Sequence, residues 1–144
     1  MLKFTALPAP LVVDLEKSVS KIVDEPRSFP CRRCLKDGLP GEEMLLVPYD
    51  PFPAASPYTG PGPIFVHRKD CVRYQCDGSV PDQQRRRLLS VRAYDANQMM
   101  TGCAVVEGKD LAEKAKSFFA DAKVDYIHVH NASPGCFAVR VDRA

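Results

Sequence analysis

A chain of 144 residues, 45% hydrophobic and 26% charged, has the length and composition of one ordinary globular domain. Its net charge of +2 excludes the strongly basic class of polyanion binders, and no apolar run reaches the ~18 residues of a membrane-spanning helix. The opening MLKFTALPAPLVVDLEKS breaks its short apolar stretch with Pro8 and Pro10 and lacks the order of a signal peptide. The protein is therefore expected to be cytoplasmic, where six cysteines point away from a disulfide framework.

Taken in chain order, residues 4–6 and 11–15 have the make-up of one edge strand with a Pro-rich bend. A polar stretch follows to Ser28. Residues 26–63 contain nine prolines and four glycines, which leaves little room for regular structure. Strands are expected at 44–49 and 64–67, and RKDCVRYQ has the pattern of a short helix starting near Asp70. The second half is more periodic. RRRLLSVRAYDANQMMTGCAVVE reads as a hairpin, with Leu89, Val91 and Ala93 on one face and a turn at 95–97. GKDLAEKAKSFFADA reads as an amphipathic helix with Leu111, Ala115, Phe118 and Ala122 on one stripe and a capping box from Asp110 to Glu113. DYIHVHNASPGCFAVRVD reads as a second hairpin, with Phe137, Val139 and Val141 alternating inward. The expected fold class is α+β within a single domain, residues 1–144. An antiparallel sheet with one packed helix (strand-strand-helix-strand-strand, 77–144) joins a Pro/Gly-rich, zinc-knuckle-like lobe at 26–76.

The lobe carries the chemistry. Cys31 and Cys34 form a Cys-x-x-Cys pair, and 32 residues separate them from His67-x-x-x-Cys71. Zinc favours such a set of three sulfurs and one imidazole nitrogen in a tetrahedron. Placed four apart, His67 and Cys71 share a face if a helix begins there. Cys76, five residues beyond Cys71, is a poorer partner. Energetics favour a metal in this segment. Ordering each backbone residue costs ~1–2 kcal/mol, and a structural zinc site returns ~10–16 kcal/mol of folding free energy. Ordinary buried thiols or a redox Cys-x-x-Cys are the alternatives, although a redox pair normally opens a helix after a strand.

The local pattern CRRCLKDGLPGEE resembles the knuckles of treble-clef zinc folds such as LIM and poly-ADP-ribose-polymerase-type fingers. The strings PCRRCL, PGEEMLLVPYDPF, GPIFVHRKDC and HVHNASPGCFAVRVDR together resemble domain-of-unknown-function family 1203 over nearly the whole chain. That resemblance implies a compact bacterial protein and carries over no catalytic residue.

Other candidates each have a simpler reading beside the functional one. Cys136 follows a turn, with His128 and His130 on the facing strand, so a Cys136 nucleophile with His128 as its base is conceivable. The simpler reading packs Cys136 as a small hydrophobe and leaves both histidines on a wet face. Residues 68–92 carry a net +4 that suits phosphate backbones, or else an edge strand guarded by charge. The loop PYDPFPAASPYTGPGP suits a polyproline-like peptide face or the lining of a pocket, or else packs rigidly over its own lobe with its tyrosines half buried. The function these observations favour is a structural-zinc binding module that contacts a protein or a nucleic acid. The alternative is a small enzyme, using either a zinc site left open by His67 or a Cys136 nucleophile.

Overall fold

The computed structural model describes residues 1–8 and 13–144. Its larger sheet has five antiparallel strands in the order β1 (Leu2–Thr5), β8 (Phe137–Arg143), β7 (Tyr126–Asn131), β5 (Leu88–Tyr94) and β6 (Met100–Glu107). The smaller sheet pairs β2 (Val19–Ile22), β3 (Glu43–Tyr49) and β4 (Gly62–His67). The described residues also form two α-helices, the single turn α1 (Asp82–Arg85) and the amphipathic α2 (Leu111–Phe119), and two 3-10 turns at Leu15–Lys17 and Gly108–Asp110. This is an α+β fold dominated by antiparallel sheet.

Both expected hairpins form. Leu89, Val91 and Ala93 on β5 meet Ile127 and Val129 on β7 and Val139 and Val141 on β8, all fully buried under α2 through Leu111 and Ala115. Residues of one parity line one face of a pleated strand, so three alternating strands build a continuous apolar layer. Asp95 closes the first hairpin by accepting from the amides of Asn97 and Met99 at 2.8 and 3.0 Å. Phe118 packs against the same core, but Ala122 lies exposed beyond the helix end and Val124 fills the next buried place. Asp110 makes no side-chain cap, because a 3-10 turn at Gly108–Asp110 leads directly into α2.

Three expectations are corrected. The polar stretch before Ser28 contains β2, an edge strand exposed along its length. Residues 71–77 form no helix: the Tyr74 amide donates to the Arg33 carbonyl at 2.9 Å, and the Arg73 guanidinium reaches the Ala6 carbonyl at 2.6 Å. Those long-range bonds hold the segment extended, where a helix would need its own i to i−4 bonds. Phe137 does not share a face with Val139. Val129 lies opposite Val139 and His130 opposite Phe137, so Ala138 is an extra residue at a bulge that turns Phe137 to the other side. The first strand is β1, with Leu2 and Phe4 buried, and the expected positions 11 and 12 lie outside the described residues.

The two sheets meet through Phe137, which joins Cys31, Cys34, Met44, Val47, Ile64 and Val66 in a second core. Residues 30–37 lie between them as a tight loop, closed by a bridge from Pro30 to Asp37 and paired in parallel with Phe65 through Cys31. α1 backs this loop: Gln83 is buried and donates to Asp37 at 3.2 Å. The turn after α1 is tight enough that a β-carbon at Gly108 would collide with the carbonyl oxygens of Gln84 and Arg85. Gly108→Ala is expected to cost about 3 kcal/mol, the upper end for overpacking, and to lower the melting temperature by about 6–12 °C. Gly62→Ala, where a β-carbon meets nothing within 4 Å, is expected to stay within about 0.5 kcal/mol of the parent in the same melt.

Candidate metal centre

Four side chains from three separate stretches converge beside the second core. Cys31 and Cys34 come from the loop between the sheets, His67 from the end of β4, and Cys71 from the extended segment after it. Their ligand atoms all lie within 4.8 Å of one another. Cys31 Sγ is 3.8 Å from Cys71 Sγ, and Cys34 Sγ is 3.6 Å from His67 Nδ1. The backbone explains why both loop sulfurs face one point. The Cys31 amide donates to the Lys36 carbonyl at 3.1 Å, and Leu35 takes a left-handed φ of 54° that folds the chain back after Cys34.

Surrounding groups orient the four. His67 Nε2 faces Glu42 Oε1 at 3.3 Å, which leaves Nδ1 pointing at the sulfurs. Glu42 is itself fixed by the Leu39 amide at 2.6 Å, and this bond, more than His67, holds its carboxyl below the ordinary range. A carboxylate behind a histidine in this way sets the tautomer of a metal ligand. The His67 amide donates to Cys31 Sγ at 3.4 Å, and Arg33, 3% exposed, donates to the His67 carbonyl from beneath. The hydrogen bond from Cys34 holds the Cys31 thiol well below the usual thiol range and drives Cys34 up, while burial pushes Cys71 up. Three sulfurs so close cannot all ionise without a cation between them.

Cys31 and Cys34 are buried, Cys71 is partly exposed, and 12% of the His67 side chain is exposed. A cleft of about 560 Å³ opens beside them, lined by Leu39, Lys69, Val72 and Tyr74 among others. Cys76 stays out of the cluster and instead accepts from the amides of Phe4 and Gly78. Cys31 and Cys34 lie together on one tight loop, but the helix that would carry the second ligand pair in a treble clef does not form.

The family described as "Protein of unknown function (DUF1203)" matches residues 28–143, a span holding all four cluster residues. The chain belongs to this family. Comparison with curated proteins and with solved structures gives no match.

Elsewhere in this DUF1203 chain the sequence-derived candidates fall differently. His128 lies opposite Ile127 and Val129 as expected, but that face is not wet. His128 is fully buried in an aromatic nest of Phe52, Tyr94, Tyr126 and Phe137, with ring centroids at 4.8–5.3 Å. The Pro-rich loop supplies the cover. It packs over the five-stranded sheet rather than its own lobe, with Phe52 and Tyr58 edge-on to Tyr94. Neither ring nitrogen of His128 has a hydrogen-bond partner among the described residues, so no bond joins it to Cys136. His130 Nδ1 lies 2.9 Å from the Gly135 carbonyl. Cys136 instead accepts from Arg32 Nη2 at 3.0 Å, a long-range contact with no local signal in the chain. The basic stretch is largely spoken for: Arg68 pairs with Glu43, Arg85 with Asp82, and Arg86 and Arg87 with Asp37.

Burial pushes the pKa of His128 down to about 3 and that of His130 down to about 4. In the unfolded chain both take up protons near the ordinary value of about 6.5. Between these limits the unfolded state binds more protons, so stability present at neutral pH is lost as the pH falls from about 6.5 towards 4 and then 3. Each histidine contributes a slope of up to about 1.4 kcal/mol per pH unit. His128→Phe is expected to remove one such increment from the slope, measured by urea unfolding at pH 7, 6 and 5. A slope equal to the parent's would contradict a buried neutral imidazole.

Proposed function

We propose that Cys31, Cys34, His67 and Cys71 bind one zinc ion as a structural centre, and that the protein is a small metal-stabilised binding module. The observation that carries this reading is the spacing of the four ligand atoms. A tetrahedron with zinc–sulfur bonds of ~2.3 Å and a zinc–nitrogen bond of ~2.0–2.1 Å has sulfur–sulfur edges near ~3.8 Å and sulfur–nitrogen edges near ~3.6 Å. The Cys31–Cys71 and Cys34–His67 separations are 3.8 and 3.6 Å. The soft donor set favours zinc over calcium or magnesium, which take oxygen ligands.

Four protein ligands leave no open coordination position, which supports folding rather than chemistry as the ion's role. His67 Nδ1 faces the sulfurs, and this works against a three-sulfur catalytic site open to water. Three thiolates around a dication leave about one negative charge, and the buried Arg33 guanidinium lies where it offsets that charge.

As partner, a protein fits better than a nucleic acid. Most cationic side chains of residues 68–92 are engaged by carboxylates or carbonyls, whereas the cleft beside the centre presents Leu39 at 66% and Val72 at 84% exposure.

Elemental analysis of the purified protein should return one zinc per chain. Stripping it with a chelator should lower the melting temperature by about 10 °C or more. Cys31→Ser and Cys71→Ser should abolish binding, and Glu42→Gln should weaken it about 10–100-fold through the loosened imidazole. A chelated protein that melts where the parent does would remove the structural centre from consideration. A titration with random single-stranded oligonucleotides at low salt should show no binding tighter than about 100 µM, and micromolar affinity would favour the nucleic-acid partner instead.

A further inference from the structure

We propose that β6 pairs antiparallel with β6 of a second copy of the chain and joins the two five-stranded sheets into one. The inference does not rest on the metal reading. It begins with the edges of the two sheets, β1, β6, β2 and β4. Natural edge strands are blunted by shortness, charge, bulges or a covering segment. β1 is four residues long, carries Lys3, and its Phe4 amide donates to Cys76 Sγ at 3.3 Å. β2 is also four residues long and carries Lys21. β4 is covered by the loop at Cys31 and Arg32, whose Arg32 amide donates to the Phe65 carbonyl at 3.1 Å. β6 has none of these devices. It runs for eight residues without a proline, and its one charge is Glu107 at the far end. Its register with β5 shifts only at the Met100 end, and no strand among the described residues pairs with its outer side.

The core is open at the same edge. Gly102, Ala104 and Val106 lie opposite Ala93, Val91 and Leu89 on β5, which are fully buried, yet all three remain half-buried. Phe118 of α2 lies over Gly102, where a β-carbon would come within 2.8 Å of its ring, and Phe118 too is only partly buried. On the other face Val105 is 64% exposed and Cys103 is exposed. The edge therefore presents free backbone groups and apolar surface on both faces.

The ladder dictates how two copies fit. The Gly108 amide donates to the Arg87 carbonyl at 2.8 Å. Bonding alternates along an antiparallel pair, so Gly102, Ala104 and Val106 bond to β5 while Thr101, Cys103, Val105 and Glu107 turn their amides and carbonyls outward. A two-fold axis at Ala104 sets Cys103 opposite Val105 of the second copy, and Thr101 opposite its Glu107. That register uses every one of these outward groups and forms about eight backbone hydrogen bonds. No like charges meet across it. Gly102, with Phe118 seated on it, comes opposite Val106 of the second copy, so the half-buried apolar layer is closed from both sides. The chain offers one bare edge of this length, so self-pairing consumes it and the assembly stops at a dimer.

Sedimentation equilibrium of the full-length, reduced protein at about 100 µM should return twice the mass of one chain. Val105→Lys sets two cations diagonally across the axis, and it should return a monomer with the circular dichroism spectrum of the parent. Ile22→Lys, on the β2 edge, should stay dimeric. Disulfide cross-linking in a Cys103→Ser background reads the register. Ala104→Cys places two thiols at a non-hydrogen-bonded pair, where α-carbons about 4.5 Å apart lie within disulfide reach. Oxidation should then give a covalent dimer on a non-reducing gel. Val106→Cys, whose counterpart lies four residues further along the facing strand, should not. A dimeric Val105→Lys protein, or no cross-link through Ala104→Cys, would overturn the proposal. A parent that sediments as a monomer would overturn it as well and leave the edge to a strand of another protein.

Discussion

Residues 31–34 are fastened from both sides at once, and this constraint organises the rest of the molecule. Cys31 faces Cys71 and His67, while the next side chain, Arg32, reaches the Phe137 carbonyl and Cys136. The peptide between them is held as well. The Arg32 amide donates to the Phe65 carbonyl at 3.1 Å, and the Leu7 amide donates to the Arg32 carbonyl at 3.1 Å. One short stretch thereby ties β4, β8 and the segment after β1, which joins the smaller sheet to the larger one. A buried polar group left unmet at such a junction costs about 1–3 kcal/mol. The carbonyls of Pro30 and Phe137 meet Arg32.

The bulge at Ala138 makes that junction possible. Had β8 continued in register with β7, Phe137 would lie in the α2 core beside Val139. The extra residue turns its ring towards Cys31 and Ile64, while its carbonyl points at Arg32. The same reversal puts Phe137 against His128, and the Pro-rich loop closes the nest from outside through Phe52. Proline-rich sequence suits this role. It costs little entropy to order, and its missing amides leave fewer donors to satisfy beneath the cover.

Where burial followed a local period, the sequence disclosed it. The stripes on β5, β7 and α2 are legible because one face of each element meets the core continuously. β2 was not legible, since Val19 and Ile22 are exposed on an edge and nothing imposes alternation there. The segment 71–77 has helical composition, yet it bonds to Arg33 and Ala6, some forty and seventy residues away, and such contacts leave no local trace. Ligand spacing did predict the convergence of Cys31, Cys34, His67 and Cys71, because soft donors in paired clusters have few other uses. The sequence also showed His128 and Cys136, but not what surrounds them. His128 is covered by a loop from residues 51–58, and Cys136 is met by an arginine that ordinary burial statistics place in solvent.

The six cysteines end in three environments, and the differences follow from what faces each sulfur. Cys31, Cys34 and Cys71 face one another, so ionising one opposes ionising the next, and a shared dication is the arrangement that lets all three carry charge. Cys76 and Cys103 are exposed, and the Cys76 sulfur accepts from the amides of Phe4 and Gly78. Cys136 faces a cation that cannot lose its proton. Because Arg32 projects from the peptide that also carries Cys31, an ion bound at the cluster would fix the backbone from which the guanidinium reaches Cys136. The two sulfur sites then share one rigid loop, and the geometry at Cys136 inherits its precision from the order of the cluster. The loop can present Cys31 and Cys34 on one side and the Arg32 charge on the other because its backbone bonds are spent on Phe65, Leu7 and Lys36 rather than on a helix or strand of its own.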